Sequence, residues 1–420
     1  MMEIILKKGN KSEKVSIDER NVIDVLTPKE AGSAVSEEEI LQNALDHPIG
    51  TKRMEEIFKP GETVAVITSD ETRPMPSSRV LSIVLDRLKS AGIEDQDITV
   101  FIARGSHRHT SDEERRRLVG DAVFDRVRCV DSDSEQCVRV GMTRRGTPVD
   151  IDQRVVEADR RICLGNIEFH YFAGYSGGAK AIMPGVSTPE AIQANHRLLV
   201  DPDACIGKLE GNPLREDLEE GAAMVGADFI LNVILDAQKR IIAAYAGDMI
   251  KAHRAGCRQL DDIYRFRLNE RADIVIVSNG GAPKDLNLYQ SQKALENARH
   301  AVRKGGIIIL VASCREGLGN AVFEQWMKEA DTPESIVERL HRGFRLGGHK
   351  AAMIALVLEE ADVYLVSDMS REEAEEVFMA PFQSAQEALD QAFEKLGRDA
   401  RVLIMPYGGS TVPAVTESDN

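Results

Sequence analysis

Short runs rich in Val and Ile constrain the fold of this 420-residue chain more than any other feature. Most end in Gly, Ser, Asp or Asn, and segments with helical spacing separate most of them. Continuous apolar runs indicate strands covered on both faces, and their alternation with helices is typical of α/β folds with largely parallel sheets. The predicted strands are residues 63–69, 98–103, 161–165, 228–235, 272–278, 306–311, 362–366 and 401–405. The sequence therefore predicts an α/β protein.

The length of the chain predicts more than one domain. A chain of 420 residues exceeds the size that a single hydrophobic core usually reaches. A polar stretch at residues 265–271 precedes a new predicted strand, which favours a boundary near residue 270. We expect an N-terminal domain of residues 1–270, joined by the tail 408–420, and a C-terminal domain of residues 271–407.

Composition excludes several classes of partner. The net charge of −16 repels nucleic acid, and no apolar run approaches the ~20 residues that a membrane span needs. The N-terminus lacks the layout of a secretory signal. The six cysteines show no two-residue spacing of a zinc or redox site. We therefore predict a cytoplasmic protein with reduced cysteines that binds neither nucleic acid nor a membrane.

The segment from His170 to Gly185 is the first candidate for an active site. It combines a histidine, several glycines that include Gly177 and Gly178, a proline and a single lysine, Lys180. Glycines let the backbone approach a ligand closely, and a lone amine can pair with a phosphate or become covalently attached to a cofactor. Such a segment points to chemistry rather than scaffolding.

Polar side chains follow three of the predicted strands. Asp70, Thr72 and Arg73 follow the first, His107 follows the second, and His170 follows the third. In doubly wound sheets the ligand crevice lies outside the carboxyl ends of the strands, so these residues could converge there. Arginine can grip a carboxylate or phosphate with two bonds, and loop histidines are the usual general acids and bases. Asp70 and Arg73 could instead form a local turn, and either histidine could be structural.

Two further groups leave their role open. His196 shares a predicted helix face with Ile192 and Leu199, so it is either a buried histidine or a metal ligand. In the second domain, Tyr289, Gln290 and Lys293 either share a functional helix face or simply begin an amphipathic helix. No loop matches a dinucleotide GxGxxG or Walker A motif, which argues against a nicotinamide-dependent dehydrogenase.

Together these motifs resemble the nickel-dependent lactate racemase family. The resemblance rests on five elements that span most of the chain in order: Asp-Glu-Thr-Arg-Pro from Asp70, Gly-Ser-His-Arg from Gly105, His170 with Phe-Ala-Gly-Tyr-Ser-Gly-Gly-Ala-Lys-Ala-Ile-Met-Pro-Gly from Phe172, His196 sixteen residues after Lys180, and Asn-Leu-Tyr-Gln from Asn287 with Lys293. The segment from His170 to Gly185 contributes most to its specificity.

The resemblance implies two α/β domains with largely parallel, Rossmann-like sheets and an active-site cleft between them. It implies nickel held in a nickel pincer nucleotide, a pyridinium-3-thioamide-5-thiocarboxylate mononucleotide covalently attached through Lys180 and made by separate cofactor-assembly enzymes. The implied activity is racemisation or epimerisation of a lactate-like 2-hydroxy acid, by reversible hydride transfer from C2 through a 2-keto acid. The implied roles are acid/base catalysis by His107 and His170, nickel ligation by His196, substrate binding by Arg73, Tyr289, Gln290 and Lys293, and cofactor binding by Lys180, Asp70, Thr72, Gly177 and Gly178.

The substrate stays open, because extra cationic groups flank the loop of His107. Arg104 and His109 could receive a second carboxylate or sugar hydroxyls, which would favour malate or a longer polar 2-hydroxy acid. Alternatively, Arg104 and Arg108 pair with the acidic residues 112–114. An alternative of another class is a non-catalytic protein that binds a nucleotide or phosphate on the same fold.

Overall fold

The computed structural model describes residues 1–29, 35–236, 238–345 and 347–415. Its contacts group into two compact units. We call Glu30–Asp262 the middle unit, and Met1–Lys29 with Ile263–Asn420 the terminal unit. Each contains a six-stranded, mainly parallel sheet with helices, which confirms the predicted α/β class.

The described residues form the following elements. The strands are β1 Met2–Lys8, β2 Lys11–Ile17, β3 Val22–Val25, β4 Val64–Ser69, β5 Ile98–Ala103, β6 Arg128–Asp131, β7 Cys137–Met142, β8 Pro148–Asp152, β9 Arg160–Asn166, β10 Phe169–His170, β11 Gly174–Tyr175, β12 Phe229–Leu235, β13 Ile241–Gly247, β14 Arg265–Leu268, β15 Ala272–Ser278, β16 Val302–Val311, β17 Ala361–Val366, β18 Ala380–Phe382, β19 Val402–Met405 and β20 Val412–Val415. The helices are α1 Glu37–Asp46, α2 Met54–Ile57, α3 Ser77–Ser90, α4 Asp112–Val119, α5 Asp121–Phe124, α6 Gln153–Glu157, α7 Pro189–His196, α8 Pro213–Val225, α9 Lys251–Tyr264, α10 Leu288–Arg299, α11 Ala321–Lys328, α12 Pro333–Arg342, α13 Gly348–Glu360, α14 Arg371–Glu375 and α15 Ala385–Leu396. None of these helices combines the length and the apolar composition needed to cross a membrane.

The sheet of the middle unit has the strand order β13-β12-β9-β4-β5-β6. All neighbouring pairs are parallel except β12 with β13. Its central strands are mostly apolar because helices such as α3 cover them; Leu81 and Leu88 of α3 are fully buried in the same apolar cluster as Val66 and Ile102. The apolar runs of the sequence therefore correspond to strands in the interior of the unit.

The sheet of the terminal unit has the order β18-β17-β16-β15-β19-β3, and all its pairs are parallel. The hairpin of β1 and β2 packs on it through Leu6, Val15 and Ile17, which join the same apolar cluster as Ile276 and Ile309. Thus the beginning of the chain contributes to the core of the unit that the C-terminal part forms.

The division into units differs from the sequence prediction at both ends of the chain. The prediction joined residues 1–29 and the tail to an N-terminal domain, but both lie in the terminal unit. There β3 pairs with β19, and β20 pairs with β14. Such pairings between distant segments leave no local signal in the sequence. The predicted boundary near residue 270 lies close to the observed division at residue 262.

The Asp285 carboxylate links the N-terminal hairpin to the rest of the terminal unit through hydrogen bonds. Its buried carboxylate Oδ2 accepts hydrogen bonds from the backbone N–H of Gly9, at 2.6 Å, and of Ser313, at 3.1 Å. The Gly9 carbonyl in turn accepts from the N–H of Ala282, at 3.0 Å. One carboxylate therefore joins the turn between β1 and β2 to the segment that follows β16.

Asp285→Ala should lower the free energy of unfolding by about 2–4 kcal/mol, because the buried amide of Ser313 and the part-buried amide of Gly9 lose their acceptor. Urea denaturation measures the change. The matched control is Asp331→Ala, which removes an exposed carboxylate and should change stability by about 0.5 kcal/mol or less. An Asp285 variant as stable as the wild type would show that the carboxylate does not hold the hairpin.

Candidate active site

The topology of the middle unit brings three candidate loops to one edge of its sheet. β4, β5 and β6 follow one another outward, whereas β9 lies on the other side of β4. This reversal of strand order is the switch point at which doubly wound sheets bind ligands, outside the carboxyl ends of the strands. The loops of Asp70, His107 and His170 follow the three adjacent strands β4, β5 and β9.

The buried carboxylate of Asp70 pairs with the exposed imidazole of His107. Asp70 is 4% exposed, and its Oδ2 lies 2.5 Å from Nδ1 of His107. Its Oδ1 accepts from the hydroxyl of Thr72, at 2.6 Å. Burial acts to raise the pKa of Asp70, but hydrogen bonds from His107 and Thr72 outweigh it and lower the pKa below its usual value. Because the ionised carboxylate can only accept, Nδ1 of His107 donates and Nε2 carries the lone pair of the neutral ring.

Arg73 lies in the turn that begins at Asp70. Its backbone N–H donates to the carbonyl of Asp70, at 3.2 Å, so the local turn that was one alternative does form. Its side chain is exposed, and within the described part of the chain it makes no ion pair with a carboxylate. The guanidinium is therefore not committed to Asp70, and an anionic ligand could take it as a partner.

Phe172 brings together three predicted residues of the Lys180 segment. The ring centroid of Phe172 lies 4.4 Å from that of His170, 5.0 Å from that of His196, and 5.8 Å from Nζ of Lys180. Phe172 is 4% exposed, so it forms a buried apolar centre for the three polar groups. The sequence analysis did not single out Phe172, because a phenylalanine carries no signal of such a role.

Nδ1 of His170 accepts a hydrogen bond, whereas Nδ1 of His107 donates one. His170 ends β10, which pairs antiparallel with β11 so that His170 lies opposite Gly174. Its Nδ1 accepts from the backbone N–H of Ala173, at 3.3 Å. In the neutral ring the proton therefore lies on Nε2.

His196 is a neutral imidazole held by its own helix. α7 begins with Thr188 as N-cap and Pro189 in its first turn, and His196 ends it. Nδ1 of His196 lies 2.7 Å from the carbonyl of Ile192, which can only accept, so the lone pair is on Nε2. Burial lowers the pKa of His196 to about 4, and the charges of Lys180 and Arg73 add to the effect.

The turn before Lys180 requires glycine. Gly177 and Gly178 have φ values of 76° and 59°, and a Cβ at Gly178 would lie 2.8 Å from the ring of His253. The N–H of Gly178 donates to Oδ1 of Asn232, at 2.8 Å. Asn232 is buried, and no described residue pairs with its Nδ2. A single asparagine inside the apolar strand β12 was a signal that the sequence analysis missed.

Two further buried residues support this turn and were not predicted. Arg215 is fully buried and donates from Nη1 to the carbonyl of Tyr175, at 3.1 Å, while Nε binds Glu219 at 2.6 Å. His253 lies 2.7 Å from the carbonyl of Ser176 through Nε2. Burial and the charge of Arg215 hold the pKa of His253 well below its usual value, so the ring is neutral. Both residues lie on amphipathic helices, where local sequence gives no sign of this contact.

The cationic residues near His107 differ in their partners. Arg108 pairs with Glu114 at 2.6 Å, which matches the alternative of pairing with residues 112–114. Arg104 does not follow that alternative, because its guanidinium donates to the backbone carbonyls of Ser132 and His107. Nδ1 of His109 lies 3.3 Å from Asp131. Thus Arg104, Arg108 and His109 all have partners within the middle unit.

The remaining candidates lie on α10 of the terminal unit. Asn287 caps this helix by accepting from the N–H of Gln290, at 2.9 Å. Gln290 and Lys293 are exposed, whereas Tyr289 is half-buried and burial raises its pKa. Nζ of Lys350 lies 4.1 Å above the ring of Tyr289 and donates to its carbonyl, at 2.8 Å. Lys350, which the sequence analysis missed, thus adds a cation beside the predicted tyrosine.

Among the described residues, no three His, Cys, Asp or Glu side chains come together in a way that could hold a metal ion. A metal bound at His196 would need its other donors from outside this set of side chains. Such an arrangement differs from a conventional site of several protein side chains.

Two family models match the chain. The lactate racemase N-terminal domain matches residues 8–207, and the lactate racemase C-terminal domain matches residues 268–412. The lactate racemase of Thermoanaerobacterium thermosaccharolyticum is 35% identical over 388 residues, which cover 90% of this chain and 91% of that protein. The lactate racemase of Lactiplantibacillus plantarum is 32% identical over 420 residues, which cover 97% of this chain and 99% of that protein.

Solved structures agree with these matches. The lactate racemase apoprotein from Thermoanaerobacterium thermosaccharolyticum superposes with a TM-score of 0.91 at 33% identity, covering 98% of this chain and 100% of that chain. A Thermotoga maritima protein, with a TM-score of 0.65 at 18% identity over 92% of this chain and 99% of that chain, shares the fold. Both sequence and structure thus relate the whole length of this chain to the same enzymes. The chain therefore belongs to the lactate racemase family, a family of isomerases.

Proposed function

We propose that this chain interconverts the enantiomers of lactate, or of a closely related 2-hydroxy acid, with His107 and His170 as its acid/base pair. The observation that carries the proposal is the opposite hydrogen bonding of the two rings: Nδ1 of His107 donates to Asp70, whereas Nδ1 of His170 accepts from Ala173. One neutral ring then presents a lone pair at Nε2 and the other an N–H. A reaction that removes a hydroxyl proton and later returns one needs one ring that accepts the proton and another that, once protonated, gives a proton back.

The residues around Lys180 fit the cofactor that the family relation implies, a nickel pincer nucleotide attached through Lys180. His196 offers the Nε2 lone pair of a neutral imidazole, which is a suitable ligand for nickel. The Gly177–Gly178 turn allows close approach of a bound group, and Nδ2 of Asn232 is a buried donor without a partner among the described residues. These features support cofactor binding by Lys180, Gly177, Gly178 and His196, and Asp70 with Thr72 would border it.

The two histidines would handle the protons of the reaction. Lys180 and His196 would hold the cofactor, whose chemistry would be reversible hydride acceptance from C2, so that no weakly acidic α-hydrogen beside a carboxylate need be removed as a proton. Nε2 of His107 takes the hydroxyl proton as the alcohol becomes a 2-keto acid. The imidazolium form of His170 gives its Nε2 proton to the carbonyl oxygen as the alcohol forms again with the opposite configuration, and a neutral ring is left. The Asp70 carboxylate stabilises the imidazolium that His107 becomes.

Substrate binding would fall to cationic and polar side chains. Arg73 is exposed and pairs with no carboxylate of the described residues, so it is suited to hold the carboxylate of a 2-hydroxy acid. The family relation supports Tyr289, Gln290 and Lys293 as further substrate-binding residues. The bonds of Arg104 to two carbonyls remove the main argument for malate or a longer polar acid, which favours lactate.

Maturation and location follow from the same relation. We propose that separate cofactor-assembly enzymes load the cofactor and that the enzyme acts in the cytoplasm on a small 2-hydroxy acid, with no nucleic-acid or membrane partner. The net charge of −16 is consistent with a small anionic substrate because Arg73 provides positive charge at the proposed site.

Lys180→Ala should abolish covalent retention of the cofactor. Intact mass and nickel content of protein co-expressed with a cofactor-assembly pathway measure this, and the wild type should carry an adduct at residue 180. The control Lys89→Ala, an exposed lysine of α3, should load normally. A wild type without an adduct, from a pathway that loads a known family member, would favour a non-catalytic binding protein.

His107→Ala and His170→Ala should each retain the cofactor but lower the turnover number by about 10²- to 10⁴-fold, since each removes one proton-transfer group. A chiral assay of lactate in both directions measures the loss per loaded chain. His109→Ala, a neighbouring and more exposed histidine bound to Asp131, should keep turnover within a few-fold. Normal turnover in either test variant would refute its catalytic role.

Asp70→Asn should lower turnover at pH 7 by about 10²-fold, because an amide cannot stabilise the His107 imidazolium. The pKa of Asp70 is lowered in the folded protein, so its effect is present above the unfolded value of about 3.9 and is lost only as the pH falls through the folded value. The deficit should therefore persist when the assay is repeated at pH 5. A deficit that vanishes at pH 5 would show that the carboxylate is not the acting group.

A further inference from the structure

The guanidinium of Arg104 is buried without a carboxylate partner among the described residues. Arg104 is 9% exposed. Its Nε donates to the carbonyl of Ser132, at 2.7 Å, and its Nη1 donates to the carbonyl of His107, at 2.5 Å. Burying a charged group is costly unless its hydrogen bonds are made. The two hydrogen bonds offset part of the free-energy cost of burying the guanidinium, and they tie the backbone at Ser132 and His107 to the Arg104 side chain.

These bonds belong to a connected set that reaches Lys180. The N–H of Gly105 donates to the carbonyl of Gly185, at 3.0 Å, and the N–H of Gly185 donates to the carbonyl of Lys180, at 3.1 Å. The hydroxyl of Ser132 lies 3.5 Å from the same Gly185 carbonyl. The Arg104 loop thus touches both the end of β6 and the end of the Lys180 segment.

The far side of the same loop has its own anchor. The carboxylate of Asp131 accepts from the N–H of Thr110, at 2.7 Å, and from its hydroxyl, at 2.6 Å. His107 lies between this anchor and Arg104. Its side chain is held by Asp70 and its carbonyl by Arg104, so two different residues fix the ring and the backbone of the same histidine.

We propose that Arg104 is a positioning residue for His107. By holding the His107 carbonyl and the Ser132 carbonyl at once, it fixes the backbone from which the imidazole reaches the substrate. The inference rests on the proposed catalytic role of His107. It also assigns to Arg104 a structural use of its charge in place of binding a second substrate carboxylate.

The chemistry of the side chain explains why arginine is needed. The planar guanidinium offers donors in fixed, separate directions, so it can bridge two carbonyls, whereas a lysine has one ammonium centre. A misplacement of about 1 Å at a catalytic group can cost about 10²-fold in rate. Loss of Arg104 should therefore act on turnover, with little effect on substrate affinity.

The first measurement is amide hydrogen exchange of the protein without cofactor, which needs no activity. Arg104→Met should speed exchange at the amides of Gly105 and His107 by about tenfold or more, while amides of the β4 and β9 strands stay protected. Arg104→Lys should give an intermediate rate. Unchanged exchange in the loop of a folded Arg104→Met protein would overturn the proposal.

The second measurement is steady-state kinetics per loaded chain, with loading read from intact mass. Arg104→Met should lower kcat by about 10- to 100-fold with KM for lactate within about twofold, and Arg104→Lys should recover part of the loss. If the Met variant does not fold, the Lys and Gln variants are read in the same way. A selective rise in KM for malate would instead assign a second-carboxylate role and overturn the proposal.

The matched control is Arg108→Met, which removes a cation from the same loop. Arg108 is 66% exposed on its side chain and pairs with Glu114, so kcat, KM and loop exchange should stay within about twofold of the wild type. Equal defects in the Arg104 and Arg108 variants would show a general effect of charge and overturn the proposal. A wild type that loads no cofactor would refute the proposed function, whereas the exchange data would still decide whether Arg104 holds the loop.

Discussion

The position of β4 between β5 and β9 brings the loops that follow these strands to one edge of the middle sheet. Parallel strands send their carboxyl ends in the same direction, so short loops suffice to gather side chains from distant parts of the sequence. The Asp70–His107 contact joins two such loops across 37 positions of the sequence. The buried ring of Phe172 then groups His170, Lys180 and His196 in the segment beyond β9.

The charge of the site runs against the charge of the whole chain. The protein carries a net charge of −16, yet Arg73, Lys180 and Arg215 lie in or directly beneath the candidate site. Burial keeps the imidazoles of His196 and His253 neutral, whereas hydrogen bonds from His107 and Thr72 keep the carboxylate of Asp70 ionised despite its burial. A small anion would therefore meet the charge of Arg73 despite the negative net charge of the chain.

The sequence predicted the central strands and the Lys180 segment, because apolar runs and glycine-rich turns are local signals. It did not predict the roles of Phe172 and Arg215, since their importance depends on which residues fold against them. Arg104 is instructive, because sequence can show that a cation flanks a loop but not that its side chain turns inward to two carbonyls. The sequence also did not predict that residues 1–29 belong to the terminal unit, because that placement depends on the pairing of β3 with β19, which joins opposite ends of the chain.

The opposite tautomers of the two histidines have a consequence for the resting enzyme. Under the proposed mechanism, one passage leaves His107 with an added proton and His170 without one, so the free enzyme exists in two protonation isomers, each ready for one enantiomer. A second conversion in the same direction can begin only after the two histidines exchange protons with water. The side chain of His107 is 47% exposed, which gives solvent a route to that proton. At high substrate concentration, interconversion of the two protonation isomers of the free enzyme can therefore limit the rate of racemisation in place of the chemical step.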